Sequence, residues 1–345
     1  MNVLYIQRRP GPHERPLPRW IRELRGTELG GQDGFFETSL CSAFPNVRFC
    51  YLQDVSGKPP TYFEAFDWVL INRKSVSGPD FTESILNGLL RKTAGTRLGL
   101  IVNNAEEDEL PPAEQLEPFD RVFKREHLQN PASYGYPDTL LRKLEVTMIS
   151  CPFVKVQRKR NQLRVTRVTE PGWVEGVQDV EVSFLGADTN ESRRRLLLGI
   201  SQSNLKFEGG LYNHKRKDCS LEWEGPGKAQ QGVDVYVDLI RRSKVNLALP
   251  GYGGFTYRHL ELWYLGAFML TSAEIRRVKL PAQEQPVEGI HYIAFDSEAD
   301  LIEKAAFYAK EEDARKKIAQ QGRVYFETLY DFRKHGRMIA NALTL

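Results

Sequence analysis

The chain lacks any apolar run of about 18 residues, the length a helix needs to cross a bilayer. Its opening, "MNVLYIQRRPGPHERP", sets a short strand-like segment directly before Arg and Pro, without the longer apolar region of a signal peptide. A cytoplasmic protein is expected. The four cysteines, Cys41, Cys50, Cys151 and Cys219, show no CxxC spacing, which argues against both a zinc site and a disulfide framework. They read as reduced, small core residues. The 48 basic and 45 acidic side chains leave a net charge of +3, too little for nucleic-acid binding across the whole surface. No nucleic-acid partner is expected, and any basic site must be local. The fingerprint GxGxxG is absent after the first strand, so no dinucleotide cofactor is expected. No DxD-like pair follows a strand in a convincing context, so no metal is expected either.

What remains is an ordinary globular composition, 41% hydrophobic and 27% charged, over 345 residues, enough for two domains with separate cores. The first half alternates buried-strand candidates ("NVLYIQ", "VRFCYLQ", "FDWVLINR", "RLGLIVNN", "FDRVFKR") with helical stretches such as "DFTESILNGLLRKTA". Short apolar strands separated by helices argue for an α/β fold with a parallel sheet, a Rossmann-like domain over 1–150. In such sheets the functional loops follow the C-terminal strand ends, which singles out His13, Glu106, Glu126 and His127 as cleft-facing candidates. Solvated loop polarity is the commoner explanation of any one of them.

The pattern changes at "CPFVKVQRKRNQLRVTRVTEPGW", where Arg158, Lys159, Arg160, Arg164 and Arg167 sit between short alternating segments. Residues 151–179 read as a connector or edge hairpin. The charge of 157–167 suits an anionic acceptor or peripheral contact with a membrane, while a strand edge blunted by Lys and Arg is the commoner use.

A second α/β domain is expected over 180–345, its last helix able to cross back to the first. Strand "VEVSFLG" ends at Gly186 before an anion-compatible loop, and Thr189 or Asn190 can cap the helix carrying Arg193, Arg194 and Arg195; Arg193, nearest the loop, is the candidate to point into a cleft, a surface role for all three being the alternative. The segment from Asn213 to Gly232 lacks periodicity and reads as a lid. Gly322 is expected to separate two helices in the final stretch. Most informative is "SKVNLALPGYGGFTYRHLELWYLGAFMLT": a strand, Pro250, a loop with Gly251, Gly253 and Gly254, then a helix opening on Arg258 and Glu261. Glycines let backbone amides approach a ligand, and a helix N-terminus adds partial positive charge, which suits a phosphate. Arg258 and Glu261, three apart, share a helix face. An ion pair between them is one account. The other is a nucleoside diphosphate, with arginine on phosphate oxygens and a carboxylate accepting both hydroxyls of a ribose. Trp263, Tyr264 and Phe268 read as core-facing helix residues.

From about Val180 to Leu343 the sequence resembles the donor-binding half of GT-B glycosyltransferases, particularly the CgeB-like and exostosin-like group. The residues that carry the likeness are "YVDLIRRSKVNLALPGYGGFTYRHLELWYLGAFMLT", "IHYIAFDSEADLIEKAAFYAKEEDARKKIAQQG", "TLYDFRKHGRMI" and "VSFLGADTNESRRRLL". The resemblance implies two Rossmann-like domains facing across a cleft, a nucleotide-sugar donor held by the second, an acceptor by the first, and no required metal. By position it implies Glu261 on the ribose, Arg258 on the diphosphate, Gly253 and Gly254 on the phosphates through their amides, and Gly186 bordering the cleft. Many retaining members carry a glutamate eight residues before the ribose-binding one, where this chain has Gly253, so retention does not follow. An inverting enzyme would need a general base on the acceptor side, for which His13, Glu126 and His127 are the candidates. The acceptor expected is a hydroxyl of a glycan, lipid or natural product. A sugar-nucleotide epimerase of the same fold and a catalytically silent nucleotide-binding module are the alternatives.

Overall fold

The computed structural model describes residues 1–7, 27–29, 31–75, 88–91, 93, 95–159, 162–172, 176–212 and 232–345. Its strands include β1 (Val3–Gln7), β2 (Thr27–Leu29), β3 (Val47–Tyr51), β4 (Trp68–Asn72), β5 (Arg97–Val102), β6 (Arg121–Arg125), β7 (His127–Leu128), β8 (Leu144–Thr147), β9 (Val154–Lys159) and β10 (Gln162–Arg167). Later in the chain come β11 (Val180–Ala187), β12 (Phe207–Tyr212), β13 (Ser243–Ala248), β14 (Met269–Ser272) and β15 (Ile293–Phe295). The longer helices are α1 (Gly34–Ala43), α2 (Glu191–Gln202), α3 (Val233–Arg242), α4 (Tyr257–Leu265), α5 (Glu298–Lys310), α6 (Glu312–Leu329) and α7 (Phe332–Thr344). Two compact units emerge: Met1–Val168 with Lys279–Pro281 and Asp331–Leu345, and Thr169–Val278 with Ala282–Tyr330.

The first unit is built on a six-stranded parallel sheet in the order β3-β1-β4-β5-β6-β8. Covered on both faces, its central strands are continuous apolar runs: Val3 to Ile6 and Val69 to Ile71 are fully buried. Helix α7 belongs to this unit and packs on α1. Ile339, Ala342 and Leu343 join Phe36, Leu40 and Tyr5 in one cluster, and the Trp68 indole donates to the Leu343 carbonyl at 2.9 Å. The expected connector does not form a separate segment. Its first part is the antiparallel β9–β10 hairpin of the first unit, with β2 on the other side of β9, so that β10 is an edge. Arg158 is committed there to the carbonyls of Val47 and Pro45, at 2.8 and 3.0 Å, while Lys159, Arg164 and Arg167 are exposed.

The second unit holds a five-stranded parallel sheet, β12-β11-β13-β14-β15. Its core gathers Val182, Phe184, Leu196, Leu197, Val245, Leu247 and Leu270. Gly322 does not separate helices. It lies inside α6, because a Cβ there would come within 2.7 Å of the Trp263 ring and 3.0 Å of the His291 carbonyl. The breaks fall instead at Glu311 and at Tyr330–Asp331, where the Asp331 carboxylate accepts from the amides of Arg333 and Lys334 to start α7. No helix of the described residues is long and apolar enough to cross a membrane.

Candidate functional site

Strands β11 and β13 are parallel neighbours, so the loops leaving their C-terminal ends lie side by side. The loop after β13 runs through Pro250 and the glycines to Thr256, the N-cap of α4. Gly251 N–H closes it on the Gly253 carbonyl at 3.1 Å. None of Gly251, Gly253 and Gly254 has a positive φ, so conformational freedom does not explain them. Close approach does for one: a Cβ at Gly254 would stand 2.9 Å from that of Glu274. At the other end His259 fixes the helix start. Its Nδ1 accepts from the Thr256 amide at 3.0 Å, and its Nε2 lies 2.8 Å from the Thr271 hydroxyl, which itself donates to the Ala248 carbonyl. That chain of donors requires the Nε2–H tautomer, and burial holds the His259 pKa down to about 3.

Arg193 was expected to face a ligand, and it does not. It is 6% exposed and donates to three backbone carbonyls: Pro250 through Nε (3.0 Å), Ala187 through Nη1 (2.6 Å) and Leu249 through Nη2 (3.0 Å). Burial, with Arg258 nearby, lowers its pKa to about 10. Asn190 adds to the clamp: its Oδ1 caps α2 by accepting from Arg193 N at 2.8 Å, and its Nδ2 donates to Pro250 and Gly251. Arg194 pairs with Asp188 through two nitrogens and Arg195 points to solvent. The glycine loop is thus tied from beneath to the start of α2. Gly186, expected to border the cleft, leaves room for the Phe184 ring, which would lie 2.7 Å from a Cβ at that position.

Arg258 and Glu261 meet as their spacing requires, with Arg258 Nε 3.8 Å from Glu261 Oε2 and side chains 11% and 12% exposed. The guanidinium also donates to the Leu185 carbonyl and stacks near Phe184 (5.2 Å) and Tyr236 (4.5 Å). Tyr236, on α3, donates its hydroxyl to Glu261 Oε2. A cation and a carboxylate are therefore held in fixed relation beside an amide-rich loop and a helix N-terminus, an arrangement able to bind a phosphate and a diol together. Sequence reasoning named Asn190 as a cap of α2 but not its bonds to the loop, and it missed Tyr236 and Phe184. Only the aromatic in "VDVYVDLIRR" offered a signal, and nothing in the chain says which helix it faces.

In the first unit the expected bases are not loop groups open to solvent. Glu126, at φ 44, is 1% exposed: its Oε1 accepts from the Ile149 amide and its Oε2 lies 2.8 Å from Arg125 Nε. Burial raises its pKa against the pull of Arg125. His127 is 3% exposed, its Nδ1 sits 2.7 Å from the Leu128 carbonyl, and burial lowers its pKa to about 4. The ion pair to Arg125 and the Ile149 amide offset the burial of Glu126, and the Leu128 carbonyl that of His127. His13 and the expected lid, apart from Gly232, lie outside the described residues. A carboxylate the loop argument passed over stands at the ends of the central strands instead. Asp33 accepts from Asn72 Nδ2 at 3.0 Å and from Asn103 Nδ2 at 2.9 and 3.0 Å.

Residues 194–339 match the family described as Glycosyl transferase-like. No curated protein matches the chain. Among solved structures, Anabaena HepE in complex with UDP-glucose is similar over 100% of this chain and 99% of its own, with 10% identity and a TM-score of 0.58. T4 phage β-glucosyltransferase in complex with UDP-glucose is similar over 100% of both chains at 11% identity and TM-score 0.54. The fold is GT-B. An α-glucosyltransferase in complex with UDP and a 13-mer DNA shares that GT-B frame over 87% of this chain and 86% of its own, at 13% identity and TM-score 0.51. The family match and the GT-B fold together support a glycosyl-transfer enzyme.

Proposed function

We propose that the protein transfers a sugar from a nucleotide-sugar donor, a uridine diphosphate sugar, to a hydroxyl acceptor on a glycan, lipid or natural product, without a metal. The observation that carries this reading is the mostly buried Arg258–Glu261 pair at the start of α4, beside a loop clamped by Arg193 and Asn190. Glu261 takes the ribose hydroxyls, Arg258 the diphosphate, and the loop amides of Gly253 and Gly254 the remaining phosphate oxygens. As the diphosphate departs, its growing charge is met by Arg258 and the α4 dipole. The uridine base is supported by the neighbours crystallised with UDP or UDP-glucose. The CgeB-like and exostosin-like subgroup rests on the motif likeness, and the second unit is read as the donor domain, the first as the acceptor domain. Burial speaks against Glu126 and His127 as the base that deprotonates the acceptor.

A thermal-shift screen against UDP, GDP, ADP and their sugars tests the donor, since a ligand that binds only the native state raises its stability. UDP or a UDP-sugar is expected to raise the melting temperature. Release of UDP in the presence of glycan, lipid, small-molecule and hydroxylated-DNA acceptors, with and without EDTA, tests the transfer. Conversion of the donor sugar without an acceptor would instead show an epimerase, and binding without turnover a silent module. Loss of activity in EDTA, restored by manganese or magnesium, would contradict the metal-free reading.

A further inference from the structure

Helix α3 presents Val237, Leu239 and Ile240 to the core and carries Tyr236 at the edge of that buried face. Two donors converge on one oxygen of Glu261: the Tyr236 hydroxyl bonds Oε2, and Arg258 Nε lies 3.8 Å from that same Oε2. No described residue donates to Oε1. A carboxylate turns readily about its last torsion, which has broad wells, so a donor on one oxygen decides where the other points. The Tyr236 ring also lies over the Arg258 guanidinium at 4.5 Å, so the one side chain orients both charged groups.

We propose that Tyr236 is a positioning residue for the ribose of the donor: by holding Oε2 it presents Oε1 of Glu261 to the 2′,3′-diol. This rests on the reading of Glu261 as the ribose ligand. Orienting the carboxylate beforehand removes an ordering cost that would otherwise fall on binding. Tyr236 stays a donor throughout the working pH range, because burial and the adjacent Glu261 raise its phenol well above the ordinary value, against the opposing Arg258.

The test is calorimetry on the full chain with UDP and with 2′,3′-dideoxy-UDP, for the wild type and for Tyr236→Phe, which keeps the ring and removes only the hydroxyl. The wild type is expected to prefer UDP by about tenfold or more, and Tyr236→Phe to lose about fivefold to tenfold of its UDP affinity while binding the dideoxy compound as before. Both ligands sample the same folded population, so their affinity ratio is insensitive to any loss of stability in the variant. A variant that keeps the wild-type ratio, or loses affinity equally for both ligands, overturns the positioning role and leaves Glu261 in place. A wild type that does not distinguish the two ligands, or does not bind UDP, overturns the ribose reading of Glu261 and this inference with it.

Discussion

The Arg193 guanidinium and the Pro250 carbonyl are joined at 3.0 Å, so an arginine from the first turn of α2 holds the entrance of the loop after β13. With Ala187 and Leu249 on its other nitrogens, Arg193 shapes the candidate phosphate loop from below. Arg193→Lys cannot reproduce this fork, since an ammonium is a single point of donation. The variant is expected to lose about 1–3 kcal/mol of stability and to bind nucleotide more weakly, because buried carbonyls are left unpaired. Chemical denaturation and calorimetry check both, and a lysine variant equal to wild type in each would show that the clamp is idle.

Glu261→Ala is expected to cost about 1.5–3 kcal/mol of nucleotide affinity, the worth of hydrogen bonds to a charged acceptor. Unliganded melting is expected to fall as well, since the Tyr236 hydroxyl loses its acceptor and Arg258 its ion-pair partner, so affinity is read at a temperature where the variant stays folded. Unchanged affinity by calorimetry would remove its assigned role.

Two helical glycines should respond with opposite sign. Gly322→Ala drives a methyl into the Trp263 ring and the His291 carbonyl, at 2.7 and 3.0 Å, and is expected to cost about 1–3 kcal/mol. Gly199→Ala, in the middle of α2, has the Glu298 side chain as its nearest contact, and that carboxylate can swing away. Helix propensity then favours the alanine by up to about 1 kcal/mol. Melting curves of the two variants, compared with wild type, decide the matter.

Glu37 provides a pH signature. Burial, with Asp33 adding, raises its pKa from 4.5 to about 8. The native state therefore keeps a proton that the unfolded state gives up, so its contribution is complete below 4.5 and is lost as pH climbs through 8. Over that window stability should fall by about 1.4 kcal/mol per pH unit from this group alone. His127, His259 and His335, all lowered by burial to about 4, 3 and 3, act the other way, but only below the ordinary histidine value of 6.5. Denaturant midpoints compared at pH 6.5 and 8 should drop for wild type and drop less for Glu37→Gln. Equal drops would mean that Glu37 does not carry the proton.

Strand positions were legible because strands buried on both faces are unbroken apolar runs: "VLYI" and "WVLI" announce themselves without reference to neighbours. The Arg258–Glu261 pair was legible for a similar reason, since helical spacing alone brings positions three apart onto one face. Arg193 and the bases were not. An arginine beside a loop reads alike whether it reaches a ligand or a row of carbonyls, and the burial of Glu126 depends on Arg125, Thr147 and Ile149 closing around it. Gly322 looked like a helix break because its actual cause, the Trp263 ring, lies 59 residues away in the chain.

Local chemistry along the chain therefore determined the parallel-sheet architecture, the strand–glycine loop–helix unit and the facing of Arg258 with Glu261. Those features depend on periodicity and on contacts a few residues apart. Which oxygen of Glu261 is held by Tyr236, which carbonyls consume Arg193, and whether Glu126 and His127 meet solvent were decided only by tertiary packing. Hydrogen bonds and burial are set by distance in space, and these partners come from separate elements brought together by the two cores.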